Sequence, residues 1–227
     1  FRFLLAEKDS FIFESVEKRK IKGRYTIIGL NPDKIWDVNK NIITINSLGK
    51  KTKIKANPVV YINKLIKEFD IKIPNQLPSM SSMLVGYFSY DIIRYIENIP
   101  NKNKDDLKIP DARILRPKNL IIHDNVKKKL FFIVNVFKDE KINNYQIKYK
   151  DILNQIEEMV LLSNLKLNIF KTKKNKNLNI VKSNISKRKF ISNVIKAKNY
   201  IKIGDIFQVV LSQRFEAKLS KDPIDIY

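Results

Sequence analysis

The sequence predicts an α+β fold, and two patterns of its apolar residues support that prediction. Short segments rich in β-branched and aromatic residues follow one another across turn residues, as antiparallel strands do. Elsewhere, apolar residues recur at spacings of three and four, which is typical of amphipathic helices that pack on a sheet.

The N-terminal part is predicted to be rich in strands. Residues 10–13 form the first predicted strand, and residues 23–29 form a second one that we expect Asn31-Pro32 to end. Two further short strands are predicted between Ile35 and Ile54, around the turn Ser47-Leu48-Gly49. Trp36 is expected in the core, without a functional role.

The middle of the chain alternates between helices and strands. Pro58 suits the first turn of a helix. A strand through Gly86 leads into a short helix at Asp91, and a bare glycine in a strand indicates that another backbone comes close. The strands 117–124 and 129–136 are expected to pair across a turn, and helical spacing predicts a helix over residues 143–162.

The C-terminal part begins after a basic run, Lys171–Lys176, that is predicted to be a solvated linker. Ser186 can cap the helix that follows, and Gly204 can take the left-handed conformation that closes it. Ile206–Phe215 is then predicted to be a strand.

Strand alternation would give the predicted strand two different faces. Phe207, Val209, Leu211 and Phe215 share the apolar face, whereas the other face carries Gln208, Ser212 and Arg214. On this pattern alone, an ordinary edge strand with one solvated face explains the residues as well as a binding site does.

Composition limits the class of protein. The chain has 227 residues and a net charge of +22, but its lysines are spread throughout and occur with Ile and Asn, which argues against a nucleic-acid partner. A free-standing basic binding domain remains the non-enzymatic alternative. The sequence contains no cysteine and one histidine, so no metal cluster is expected within it. A cytoplasmic protein without a membrane span fits these features.

Five separated segments carry a family resemblance. They are F-I-F-E-S-V-E (11–17), G-R-Y-T-I-I-G-L-N-P (23–32), V-G-Y-F-S-Y-D-I-I-R-Y-I-E (85–97), the stretch 110–124, and G-D-I-F-Q-V-V-L-S-Q-R-F (204–215). In this order they resemble the anthranilate synthase component I family of chorismate-utilising enzymes, although Ser89 replaces the usual glycine. The resemblance implies antiparallel β-sheets packed as a sandwich with flanking helices.

The same resemblance implies an N-terminal fragment that is incomplete at the C-terminus and has both ends missing. Residues 1–180 would form the N-terminal domain, and residues 181–227 the truncated start of the chorismate-binding catalytic domain. In this family the E-S pair belongs to the pocket for the feedback inhibitor L-tryptophan. Glu14 would face the ligand's ammonium, Ser15 would hydrogen-bond a polar group, and Arg24 would serve the carboxylate.

The implied reaction is that of a lyase, which converts chorismate and ammonia to anthranilate and pyruvate in tryptophan biosynthesis. Relatives that add a hydroxyl carry lysine at the position of Gln208, and an amide cannot act as a base. Ser212 and Arg214 would lie on the substrate side. The resemblance also implies Mg²⁺, with ligands in the missing half, and a glutamine amidotransferase subunit that supplies ammonia. The fragment alone is expected to be inactive, and aminodeoxychorismate synthase component I is the alternative.

Overall fold

The structure is a computed structural model that describes residues 8–14, 23–69, 71–102, 104–164 and 181–218. The chain divides into two compact units, Phe1–Lys166 and Leu167–Tyr227. Residues 165–180 lie outside the described residues, so the predicted domain boundary at 180/181 and the predicted linker at 171–176 stay predictions.

Seven strands of the first unit form one antiparallel sheet. The strands are β1 (Phe11–Glu14), β2 (Tyr25–Asn39), β3 (Ile42–Ser47), β4 (Lys50–Lys55), β5 (Val85–Phe88), β6 (Ala112–Asp124) and β7 (Lys129–Val134). The long strands β2 and β6 pair along nearly their whole lengths. Strands β3, β4 and β5 extend one end of this ladder, and β1 and β7 extend the other.

The β2–β6 ladder contains a bulge at Asp33. Pro32 lies opposite Pro117 and Lys34 lies opposite Arg116, so Asp33 is an extra residue in β2. The prediction that Asn31-Pro32 ends the strand is therefore wrong. Asn31 takes a positive φ of 49°, and the bulge accommodates the prolines without breaking the pairing on either side.

Helix α1 (Pro58–Glu68) begins at Pro58, as the sequence predicts, and covers one end of the sheet. The side chain of Asn57 caps the helix by accepting hydrogen bonds from the backbone N–H groups of Val59 and Val60. Its apolar face packs through Ile62 on the buried residues Trp36, Val38, Ile43, Ala112 and Ile114.

Helix α2 (Tyr145–Asn164) covers the other end, on the opposite face. Met159 packs on Ile28, Leu30 and Ile121. Ile121 and Ile114 have opposite parity within β6, so they point to opposite faces of the sheet.

Strand β5 and the 3₁₀ helix Tyr90–Tyr95 confirm the strand-to-helix corner that the sequence predicts. A Cβ atom built on Gly86 would lie 1.8 Å from the carbonyl oxygen of Arg113, so the predicted close backbone approach is also confirmed. The hydroxyl of Tyr95 donates to Asp111, which joins the corner to the start of β6.

The second unit contains β8 (Lys182–Ser183), α3 (Lys187–Lys202) and β9 (Phe215–Glu216). The hydroxyl of Ser186 accepts a hydrogen bond from the backbone N–H of Lys189, which confirms the predicted cap. Gly204 has a φ of +84° and its N–H donates to the carbonyl of Ile201, which confirms its role in ending the helix.

The prediction of a strand over Ile206–Phe215 is wrong for most of its length. Residues 206–214 are irregular, and only Phe215 and Glu216 pair, with β8. A strand is stable only where its backbone groups find partners, and pairing in the described part of this unit extends over two residues. Phe207, Val209 and Phe215 are consequently 94%, 44% and 62% exposed, so the predicted apolar face is not formed.

Candidate functional site

Two of the three residues predicted to bind tryptophan, Glu14 and Arg24, lie where β1 meets β2. Glu14 is the last residue of β1 and lies opposite Thr26 in the antiparallel pair. Arg24 immediately precedes β2, so it lies two positions from the residue that faces Glu14. Ser15 follows Glu14 but lies outside the described residues. The register therefore brings Glu14 and Arg24 to the same end of the β1–β2 pair, and their predicted roles stay predictions.

Arg24 is held by an acid that the sequence patterns did not single out. Its Nε and Nη2 atoms donate hydrogen bonds to the carboxylate of Asp124, with an Nη2–Oδ2 distance of 2.6 Å. The oxygen Oδ1 of Asp124 also accepts from the backbone N–H groups of Val126 and Lys127. The signal in the sequence was an aspartate at the last position of a buried strand, directly before a turn.

This arrangement fixes the charge of Asp124. The hydrogen bonds from Arg24, helped by the backbone N–H groups of Lys127 and Val126, hold the pKa of the buried carboxyl well below its usual range. Asp124 therefore stays ionised and orients the guanidinium of Arg24. A ligand carboxylate at this edge would meet a guanidinium whose Nε and Nη2 atoms already donate to Asp124. The Cζ atom of the same guanidinium lies 4.8 Å from the centroid of the Tyr25 ring.

The second group of predicted residues lies in the C-terminal unit. Gln208 and Ser212 are exposed, whereas Arg214 is half-buried. The Nε atom of Arg214 donates to Glu216 at 2.8 Å, and its backbone N–H donates to the side chain of Asn184. Gln208 is not buried among apolar side chains, which leaves its amide available.

A cavity of about 310 Å³ between α1 and the sheet was not predicted. Trp36 lines it, with Tyr61 and Phe69 from α1 and its C-terminal end, and with Arg116 and Phe137. Burial raises the pKa of the Tyr61 hydroxyl, an effect that a hydrogen bond with Trp36 opposes, so this phenol stays neutral. Trp36 was expected to be a core residue; it is buried at 4% exposure and forms a wall of the cavity as well.

The floor of the cavity holds a network of charges around Arg116. Its Nε donates to Asp33 at 2.8 Å, and its Nη2 contacts Asp33 and, at 3.0 Å, Asp139. Lys34 also donates to Asp139. The ring of Phe137 stacks on the guanidinium with 3.9 Å between Cζ and the ring centroid. No sequence pattern indicated this cluster, because Arg116 is 83 residues away from Asp33 in the chain.

Neither a metal-binding cluster nor a membrane span is found in the part of the chain that the structure describes. There, no group of three or more His, Cys, Asp or Glu side chains that could hold a metal ion is found. None of the described helices combines the length and the hydrophobicity that a membrane span requires.

Comparison with known proteins gives consistent matches. Residues 9–227 match the family described as "chorismate binding enzyme". The chain is 37% identical over 222 residues to anthranilate synthase component 1 of Acetivibrio thermocellus, and 34% identical over 229 residues to that of Acinetobacter calcoaceticus. Both matches cover 96% of this chain, but 45% and 44% of the relatives. The chain thus spans about half the length of these relatives.

A solved structure confirms the fold. Anthranilate synthase component I from Streptococcus pneumoniae TIGR4 matches 96% of this chain with a TM-score of 0.73, at 21% identity. The match covers 46% of that chain, so relative to it the fold is incomplete. The predicted α+β fold of antiparallel strands with flanking helices is confirmed by this likeness.

Proposed function

The chain belongs to the chorismate-binding enzyme family, and on that basis we propose that it is part of an anthranilate synthase component I. In the proposed reaction, ammonia adds to ring carbon 2 of chorismate and the ring hydroxyl leaves as water. The enolpyruvyl side chain is then eliminated as pyruvate, and the ring becomes aromatic to give anthranilate. The overall chemistry is that of a carbon–oxygen lyase.

The observation that carries the proposal is the similarity to two anthranilate synthase components, at 37% and 34% identity over nearly the whole chain. A chance motif would not extend through both compact units. Gln208 adds chemical support, because its amide has no titratable proton and cannot activate water. Ammonia is a nucleophile that does not need a base to activate it, so it is favoured over water as the group that enters the ring.

Regulation by L-tryptophan is part of the proposal. Glu14, Ser15 and Arg24 would form the polar side of its site, with a carboxylate for the ammonium and donors for the carboxylate. The strand register supports this location. Glu14 lies opposite Thr26 near the start of β2, and Arg24 directly precedes that strand. Asp124 would position Arg24, because its carboxylate accepts hydrogen bonds from the Nε and Nη2 atoms of Arg24.

The remaining components of the proposal are Mg²⁺, a glutamine amidotransferase partner that delivers ammonia, and the cytoplasm as the site of the reaction. Mg²⁺ prefers oxygen ligands and would bind a carboxylate of chorismate. Ser212 and Arg214 would face the substrate side of the C-terminal unit. We expect the 227-residue chain alone to be inactive.

The test is product analysis with chorismate, ammonium and Mg²⁺. A protein in which this chain continues to the length of its relatives should produce fluorescent anthranilate and one pyruvate per turnover. The 227-residue chain alone should produce neither. Aminodeoxychorismate without pyruvate would replace the proposal by the folate-pathway alternative, and a hydroxylated product would exclude both. Turnover by the short chain would contradict the expectation that it is inactive.

A further inference from the structure

We propose that the cavity between α1 and the sheet binds a small aromatic monocarboxylate. It is formed entirely within the first unit and contains neither the residues proposed for tryptophan nor those proposed for chorismate. Its volume of about 310 Å³ is at the lower end of the range for ligand pockets, which is enough for a single ring with one substituent.

The walls determine the shape of the ligand. Trp36, Phe69 and Phe137 line the cavity, and the rings of Phe69 and Phe137 are 6.3 Å apart. Aromatic side chains bind a flat ring through their faces and edges and lose little rotamer freedom. Trp36 comes from β2, Phe69 from the end of α1 and Phe137 from the segment after β7, so the walls belong to three different elements.

The charges around the cavity determine the class of ligand. The cavity is lined by three cations (Lys34, Arg116 and Lys138) and two carboxylates (Glu68 and Asp139). Their ion-pair partners add the carboxylate of Asp33 and the ammonium of Lys64. Arg116 pairs with both Asp33 and Asp139, and Lys34 pairs with Asp139. Lys64 pairs with Glu68 at 3.7 Å. One positive charge is therefore left over, and a single carboxylate on the ligand would balance it.

Two donors are available for that carboxylate. Within the described ranges, Lys138 makes no ion pair, and Nη1 of Arg116 donates no hydrogen bond although its Nε and Nη2 do. Arg116 is 9% exposed, so a group that reached Nη1 would form a charge-assisted hydrogen bond largely shielded from water. Lys138 is exposed and would contribute mainly an attractive charge at the entrance.

Trp36 makes the test direct, because it is the single tryptophan of the chain and lines the cavity. Benzoate is titrated against the chain while intrinsic fluorescence is recorded, without chorismate, so the result does not depend on the proposed function. We expect a saturable change, and binding of the neutral isostere benzamide that is about fivefold weaker. No saturable change with benzoate, or equal affinity for benzamide, would overturn the proposal.

A variant locates the charge. Lys138→Gln should weaken benzoate binding about three- to fivefold and leave benzamide binding unchanged. Lys141→Gln, an exposed lysine of the same segment that does not line the cavity, should bind both compounds like the parent. Urea midpoints should be equal for the three proteins, because Lys138 makes no ion pair among the described residues. If Lys138→Gln bound benzoate as tightly as the parent, Lys138 would not be part of the site, and the proposal that its charge selects a carboxylate would be overturned.

Discussion

The carboxylate of Asp33 lies against the guanidinium of Arg116 directly at the bulge of β2. Asp33 has no opposite residue in the β2–β6 ladder, because the register passes from Pro32↔Pro117 to Lys34↔Arg116. The two residues are 6% and 9% exposed, and Asp139 supports the pair from a third segment. The bulge thus turns an extra residue toward a buried charge whose other carboxylate partner, Asp139, is exposed.

Removal of the Asp33 charge is therefore predicted to be costly. Asp33→Asn leaves a buried guanidinium with one carboxylate fewer, and we expect the free energy of unfolding to fall by about 3 kcal/mol. Urea unfolding at neutral pH measures this. Asp151→Asn is the control, since Asp151 is exposed on α2, and it should change stability by less than about 0.5 kcal/mol. Equal losses in both variants would contradict the structural role of the pair.

A second prediction concerns stability in acid and depends on Asp124. Arg24 lowers the pKa of this carboxyl below the ordinary value of 3.8 in the folded state. Its contribution to stability is therefore complete above about pH 4 and decreases as the pH falls from there toward the folded-state pKa. Asp124→Asn removes the ionisation, so the variant should be less stable at neutral pH and lose less stability on acidification.

Denaturant midpoints between neutral and acidic pH provide the measurement. The amide in Asp124→Asn can still accept from Val126 and Lys127, so the turn should persist and only the charge effect should disappear. Some acid sensitivity should remain, because burial raises the pKa of Glu140 but hydrogen bonds from Lys148 and Lys118 hold it below its usual value. A variant with the same pH dependence as the parent would disprove the assignment.

Local signals predicted most of the fold. Capping residues mark the starts of two helices, Asn57 and Pro58 for α1 and Ser186 for α3. Positive φ angles mark the end of α3 at Gly204 and the turn around Leu48. Each of these signals acts within a few residues of the chain. Pro32 misled the prediction because a proline normally ends a strand, and the bulge that accommodates it depends on β6, some 85 residues away.

The candidate sites show the same division between local and distant causes. The resemblance located Glu14, Arg24 and Gln208 from short segments. Asp124, which holds Arg24 from about 100 residues away, could not be paired with it by sequence spacing. The same holds for the cavity, which Trp36 and Arg116 line from the paired strands β2 and β6. For residues 206–214, β-propensity predicted a strand, but in the described part of the unit only Phe215 and Glu216 pair with another strand.

Gly86 provides a third prediction. A Cβ in Gly86→Ala would lie 1.8 Å from the carbonyl oxygen of Arg113 and 2.9 Å from the Cα atom of Ile114, both backbone atoms that cannot rotate away. We expect β5 to separate from β6 and stability to fall by about 3 kcal/mol. Hydrogen exchange of the Val85–Phe88 amides and urea unfolding would report these effects.

Gly29→Ala is the matched control. There the nearest atoms to the new Cβ are ring carbons of Phe11, at 2.1 Å, and this side chain can change rotamer. Its loss of stability should be clearly smaller than that of Gly86→Ala, without faster exchange in β5. If the two variants lost equal stability, contact with the Arg113 backbone would not be the cause.

The tryptophan site gives a fourth prediction. In the protein of full family length, Ser15→Ala should weaken L-tryptophan binding about fivefold, which corresponds to the loss of one hydrogen bond. Isothermal calorimetry measures it, with Thr52→Ala on the exposed strand β4 as the control. If Ser15→Ala and the parent bound tryptophan equally, Ser15 would not be in the pocket.

The last prediction concerns Gln208 and the choice of nucleophile. In the protein of full family length, Gln208→Lys introduces a group that can accept a proton from water, whereas the native amide cannot. We expect anthranilate formation from chorismate and ammonium to fall at least about tenfold, with a hydroxylated chorismate product appearing. Gln208→Met, with similar length but no basic nitrogen, should lower anthranilate formation without forming that product. Chromatography of the reaction mixtures separates these outcomes. If Gln208→Lys retained full amination and formed no hydroxylated product, position 208 would not determine which nucleophile enters the ring.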